Sequence, residues 1–328
     1  MTKPRITMLV LVTAYLGYYL GLRSQGDHMV SVESWLILFY LILGTWATSA
    51  GAAVLNQVIE RRHDAKMART KNRPLVIGKI SPMNALVFGI ILSLGGYVFL
   101  YYLINPLTAW ISAATVLLYI LIYTPSKRIS TWNTIIGSIP GALPPVGGWV
   151  AATGSLAPPA WILFGILFCW QMPHFLAIAI IYAADMGATV TNNSYGGGGY
   201  SNYFLDAFLY AYELGTLSLA SAGNSDENEL HYPSGYRNVF SVASTASGDY
   251  KSSFSTYHLS VDISSPGSGI LSLNPDNDYA TASGTSMASP VAAGVGALIK
   301  SQFSELSSYE LALRLSATAD DIYDVNPE

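Results

Sequence analysis

Hydrophobic and polar positions split the chain into two stretches with different rhythms. In the first stretch apolar residues come in long runs, at about 6–22, 35–55, 85–103, 108–123, 134–152 and 160–181. A helix crosses the hydrocarbon layer with about 20 apolar residues, and these runs reach or approach that length. The fifth run carries Pro140, Pro144 and Pro145, so a kink is expected in it. From Gly187 on, no apolar run is long enough to span. "ATVTNNSYG", "LSLASAGNS", "NVFSVASTA" and "LSVDISSPG" are short apolar segments closed by polar loops, the pattern of buried strands. Helical patterns fall at 203–214, 286–303 and 308–317. The expected fold class is therefore an N-terminal all-α transmembrane bundle followed by a partial α/β layered sheet.

Composition supports the division. Of 328 residues, 51% are hydrophobic and only 11% charged, less than half the charged share of a soluble domain. A lipid bilayer is the implied partner, and no nucleic-acid partner is expected. The net charge of −4 conceals an asymmetry. Up to Asp185 there are 12 Lys+Arg against 5 Asp+Glu, and beyond it 4 against 15. Two unlike halves are implied. Basic residues cluster before the first run (Lys3, Arg5), between the second and third (Arg61 to Lys79) and between the fourth and fifth (Lys127, Arg128). All three clusters fall on one side of a membrane if the N-terminus is cytoplasmic. "MTKPRITMLVLV" has a basic head but no small-residue cleavage site, which reads as a retained first helix. Cys169 is the only cysteine, so no intrachain disulfide is possible.

The segment after the second run, "NQVIERRHDAKMARTKNRPL", carries candidate chemistry. Asn56, Glu60 and Asp64 are spaced i, i+4, i+8 and share one face of a helix. Such an oxygen ladder suits Mg²⁺, which takes oxygen ligands and keeps waters or phosphates in its shell. Arg69, Lys71 and Arg73 could neutralise a phosphate's remaining charge. On spacing alone, an ordinary solvated helix end of mixed charge would look the same.

The pattern N-x3-[DE]-x3-D-x2-M-x-R-T-x2-R-P resembles the first acidic motif of the membrane prenyltransferases of the protoheme IX farnesyltransferase (heme o synthase) type. "TKPRI", "YTPSKRISTWNTIIGSIPGALPPVGGW" and "WQMPHFLAIA" resemble the same family, over about residues 1–182. The resemblance implies farnesyl transfer from farnesyl diphosphate to a heme vinyl group, in a bacterial-type inner membrane. Asn56, Glu60 and Asp64 would hold metal and diphosphate, and Arg69 and Arg73 diphosphate. His174, at membrane depth, is either a substrate-binding residue or a histidine hydrogen-bonded within the bundle. The family has about nine spans and a second acidic motif. Here six runs occur, and only "YAAD" follows "WQMPHF" closely.

In the second half, "ASGTSMASPVAAGVGALIK" sets Ser286 where a loop enters a helix. Asn224, in "SAGNS", is placed to donate to an oxyanion, and "NNSYGGGG" offers an open strand to an extended peptide. Taken singly, these are equally a capping serine, a turn asparagine and a flexible loop. Together, in this order, they resemble the subtilisin-like serine proteases. Ser286 matches the nucleophile, Asn224 the oxyanion asparagine, and Ser194, Tyr195 and Gly196 the substrate strand. The family's Asp and His motifs are found nowhere in the sequence, and His231 and His258 lie on the wrong side of the substrate strand. Losing a triad member costs orders of magnitude in rate.

The reading is a chimera of 1–182 and 183–328, joined between Ala179 and Gly187 with no Gly-, Ser- or Pro-rich linker. Three expectations follow: a heme o synthase impaired by its missing part, a peptidase fragment without its base, or an inactive fusion. Oligomeric state is left open.

Overall fold

Proline opens four of the six helical stretches of membrane-spanning length among the described residues. Pro4, Pro82, Pro106 and Pro158 begin α1 (Pro4–Ser24), α3 (Pro82–Leu103), α4 (Pro106–Leu117) and α7 (Pro158–Asp185). Proline's fixed φ suits a first turn, where its missing N–H is not needed. Ser31, Ser81 and Asn105 accept from the first-turn amides of α2 (Val32–Asp64), α3 and α4. The computed structural model describes residues 1–27, 29–67, 70–130, 132–197, 199–273 and 278–326. The chain forms two compact units, Met1–Met172 and Pro173–Glu328.

The first unit is built from helices long and apolar enough to cross a membrane; with α7 there are six among the described residues. α1 packs along α6 (Asn133–Thr153), and α2 along α3. Small residues let the helices approach, as membrane bundles require. A Cβ on Gly17 would collide with the carbonyl of Pro145, and one on Gly148 with the carbonyl of Ala14. Tyr18, Leu38, Leu41 and Leu100 fill one core cluster, and the Tyr18 hydroxyl donates to the Ser34 carbonyl at 2.8 Å.

Three features depart from the hydrophobic pattern. α2 runs nine residues past its apolar stretch, to Asp64, and so carries the whole acidic face. The fourth span is not uniform: α4 passes into π-helix at Leu118–Tyr123 and then into a last α-turn, α5 (Thr124–Ser126). Pro125 follows directly and donates no N–H, and the Thr124 hydroxyl donates to the Tyr119 carbonyl instead. The proline-rich fifth run is one continuous helix, ended by Gly154 at φ 71°.

The second unit holds a parallel sheet in the order β1-β2-β3-β4: Val190–Asn193, Leu217–Ser221, Val239–Thr245 and Ile263–Pro266. Val190 pairs with Leu217, Ser218 with Val239 and Val242 with Ile263. β2 and β3 are buried throughout, as central parallel strands with both faces covered should be. On one face, Leu217, Leu219, Phe240 and Val242 meet α9 (Thr285–Gln302) and α10 (Ser308–Ala317). On the other, Ala220 and Val239 meet α8 (Asn202–Glu213) and Ala177, Ile180 and Ala184 from the end of α7. The last turns of the sixth apolar run thus serve as a sheet-covering helix. An antiparallel hairpin, β5 (Ile270–Leu273) and β6 (Tyr279–Ala282), precedes α9, and the alternation pattern did not signal it.

Candidate functional site

The acidic face of α2 ends the first unit's longest helix. Asn56 is fully buried, and Asp64 is 5% exposed. Each of its three members meets a cation. Lys3 Nζ donates to Asn56 Oδ1 at 3.0 Å, Lys127 Nζ lies 3.1 Å from Glu60 Oε1, and Arg73 lies 2.5 Å from Asp64 Oδ2. Asn56 Nδ2 donates to the Thr124 hydroxyl at 3.1 Å, and the Thr70 hydroxyl donates to the Asp64 carbonyl. Burial, with Arg73 and Lys127 close by, draws the Lys3 ammonium down to about 8.

Three of these partners, Lys3, Thr124 and Lys127, escaped sequence reasoning. They lie 53, 68 and 67 positions from the residues they meet. The available signal was their place in "TKPRI" and "YTPSK", beside the two other basic clusters on the same side. Arg69 lies outside the described residues. His174 belongs to the second unit, where its Nδ1 is 2.9 Å from the Tyr203 hydroxyl. Asp185 accepts from the Tyr210 hydroxyl at 2.8 Å, which pushes that phenol's pKa up.

Between α2, α3 and α4 lies an apolar cavity of about 370 Å³, lined by Thr48, Leu55, Ser93, Tyr97, Trp110 and Leu117. Leu55, in its lining, is the residue before Asn56 in α2.

In the second unit, Ser286 stands in the first turn of α9. Its hydroxyl donates to the Ser194 carbonyl at 3.4 Å, and the Ser194 hydroxyl donates to the Ser286 carbonyl at 2.8 Å. Asn224 Oδ1 accepts from the Thr285 amide and hydroxyl at 2.9 and 3.0 Å. That fixes its amide nitrogen toward the helix entrance. A Cβ on Gly284 would stand 3.7 Å from both Asn224 Nδ2 and the Ser286 amide nitrogen, so both nitrogens lie close to Gly284. Ser194, Tyr195 and Gly196 follow β1 rather than extending it. The Tyr195 hydroxyl donates to Asn193, and Gly196 abuts the His231 ring. Burial lowers the pKa of His231, and His258 Nδ1 is engaged by Ser260. Among the described residues no imidazole hydrogen-bonds Ser286.

The model of the UbiA prenyltransferase family matches residues 10–188. The chain belongs to the UbiA prenyltransferase family. This UbiA chain is 45% identical over 187 residues to a protoheme IX farnesyltransferase of Solibacter usitatus, spanning 56% of this chain and 64% of that protein. It is 43% identical over 188 residues to one of Opitutus terrae, spanning 57% and 61%. The chain thus spans less than two thirds of the relatives it matches. The Subtilase family model matches residues 174–327 and overlaps the first match over 174–188. A cold-adapted subtilisin-like serine proteinase is similar at 33% identity and TM-score 0.44, over 46% of this chain and 56% of that one. The prenylagaramide maturation protease PagA is similar at 26% and 0.45, over 48% and 61%. Two family models match successive parts of one UbiA chain, as the sequence pattern indicated, and its apolar helices make it a membrane protein.

UbiA prenyltransferases generally use a divalent metal. The donor chemistry of the α2 face fits one. Glu60 Oε2 and Asp64 Oδ1 have no hydrogen bond among the described residues, while the other carboxylate oxygens are ion-paired. Two carboxylates and one amide do not fill an octahedral shell, so further ligands would come from phosphate or water. No cluster of three or more His, Cys, Asp or Glu suited to a metal occurs among the described residues.

Proposed function

We propose that the chain is a membrane prenyltransferase that transfers farnesyl from farnesyl diphosphate to protoheme to give heme o. The observation that carries this reading is the α2 face. Asn56, Glu60 and Asp64 lie in one row, ringed by Lys3, Arg73 and Lys127. A row of oxygens beside a set of cations suits a metal-bound diphosphate. Relatives at 43 to 45% identity carry the name protoheme IX farnesyltransferase.

Glu60 and Asp64, with the Asn56 amide oxygen, would hold Mg²⁺. Bound there, the ion would neutralise charge building on the departing diphosphate. Arg73, Lys127 and Lys3 would donate to phosphate oxygens and hold the leaving group in place. The apolar cavity beginning at Leu55 would take the isoprenoid chain and keep water from the allylic cation until the vinyl carbon attacks. Arg69 and His174 would be further substrate contacts. The basic clusters support a cytoplasmic N-terminus, and the bacterial relatives support a bacterial-type inner membrane. Membranes carrying the chain, supplied with heme, farnesyl diphosphate and Mg²⁺, should yield heme o by mass spectrometry. No product above an Asp64→Ala control would end this reading.

A peptidase reading rests on Ser286 in the first turn of α9 and on Asn224, which Thr285 holds at the start of that helix. Without a base the expected activity is nil. The division into 1–182 and 183–328, joined between Ala179 and Gly187, is part of the proposal. A single peptide spanning residues 175–195 from source material tests it.

A further inference from the structure

The cations around the α2 face come from three separate places: ahead of α1, the loop after α2, and the segment after α5. Each donates to a different oxygen acceptor. Two carboxylates against three cations leave this cluster with one net positive charge. A site of that sign disfavours a bare divalent cation and favours a multiply charged anion.

The arrangement of Lys3 is more deliberate than solvation of a helix end requires. Its backbone is left-handed, at φ 47° and ψ 65°, a region non-glycine residues seldom occupy and one that tends to mark functional positions. The chain just before it is tied to α2, where Gln57 Nε2 donates to the Met1 carbonyl. Lysine and arginine bind phosphate oxygens with the same charge-assisted bonds they give carboxylates. Glu60 and Asp64 each keep one further oxygen outside these pairs.

Resting on the prenyl diphosphate reading of this site, we propose that Lys3, Arg73 and Lys127 are exchangeable counter-ions. With no diphosphate bound they close the acidic face to a divalent metal. An arriving diphosphate draws them onto its own oxygens, uncovers Glu60 and Asp64, and reverses the local sign. Metal and diphosphate therefore enter as a pair, and metal alone is held weakly. No bond is made or broken in this exchange; only the partners of the ammonium and guanidinium groups change.

The test uses the full chain in detergent and two binding measurements, free of turnover. Retention of Mn²⁺ alone is followed by the loss of its free electron paramagnetic resonance signal. Retention of radiolabelled inorganic pyrophosphate is followed by equilibrium dialysis with and without Mg²⁺. Lys127→Gln should tighten Mn²⁺ alone about tenfold and weaken Mg²⁺-dependent pyrophosphate retention about tenfold, the scale of one charge-assisted bond. Lys3→Gln should weaken pyrophosphate in the same way, and serves if Lys127→Gln fails to fold. Arg128→Gln removes an equal charge one residue along and should leave both affinities within about twofold. If wild type retains pyrophosphate with Mg²⁺ but Lys127→Gln shifts Mn²⁺ no more than Arg128→Gln does, the exchange is wrong and the diphosphate site stands. If wild type retains neither probe, both readings fall.

Discussion

Asp64 is nearly buried, and Arg73 answers its charge at 2.5 Å. Removing the guanidinium would leave a carboxylate with little water and no cation. Arg73→Ala should therefore lower stability by about 1–3 kcal/mol in a denaturant titration, with Arg73→Lys intermediate because it keeps charge but not the fork. Ser286 shows the opposite situation, a hydroxyl at a helix start with no imidazole hydrogen-bonded to it among the described residues. A fluorophosphonate probe should leave the mass of the native chain unchanged, and labelling lost in Ser286→Ala would overturn that. At this scale the sequence was legible where contacts are local. The i, i+4, i+8 spacing announced Asn56, Glu60 and Asp64. Their partners Lys3, Thr124 and Lys127 come from distant segments, and no local period encodes a meeting across more than fifty residues.

Helices announced themselves through proline, serine and apolar length, and their ends were readable to within a few residues except where polar turns continued them. α2 continued to Asp64 because a helix needs no apolar face once it leaves the hydrocarbon. The π segment was not legible, since it shows only in how carbonyls are shared around Pro125. It sets the rotation of Thr124 and Lys127 toward α2. The α1–α6 contact is equally demanding. Gly148→Ala drives a methyl into the Ala14 carbonyl and should cost about 1–3 kcal/mol in thermal unfolding. In the second unit, Ser307 and Glu310 form a capping box at α10, and the Ser307 amide and hydroxyl hold the Glu310 carboxyl below its usual range. A lowered folded-state pKa stabilises above the unfolded value and is lost as pH falls through the folded one. α10 should therefore fray under acid, and Glu310→Gln should remove that dependence in amide hydrogen exchange, with Ser307→Ala only reducing it because the residue-307 amide still donates.

The whole molecule combines a basic, lipid-adapted unit and an acidic α/β unit, and composition alone foretold that contrast. The sheet was readable as strand and helix alternation, but the extent of its cover was not. α9 buries Ala288, Ala292 and Ala293 against the strands, yet leaves Val291, Val295 and Leu298 exposed at helical spacing. Such an open apolar stripe should bind a dye such as ANS. Val295→Glu with Leu298→Glu should reduce that fluorescence without unfolding the unit. One shared helix carries a last consequence. α7 divides between the units after Met172, and its later turns are occupied with Phe204, Phe208 and the sheet. The whole of α7, 28 residues, is a rod of roughly 42 Å at 1.5 Å per residue. A hydrocarbon slab is about 30 Å thick. The surplus of roughly 12 Å is about the length of the turns from Ala177 on that lie over the sheet, so one unbroken helix is long enough both to cross lipid and to cover strands.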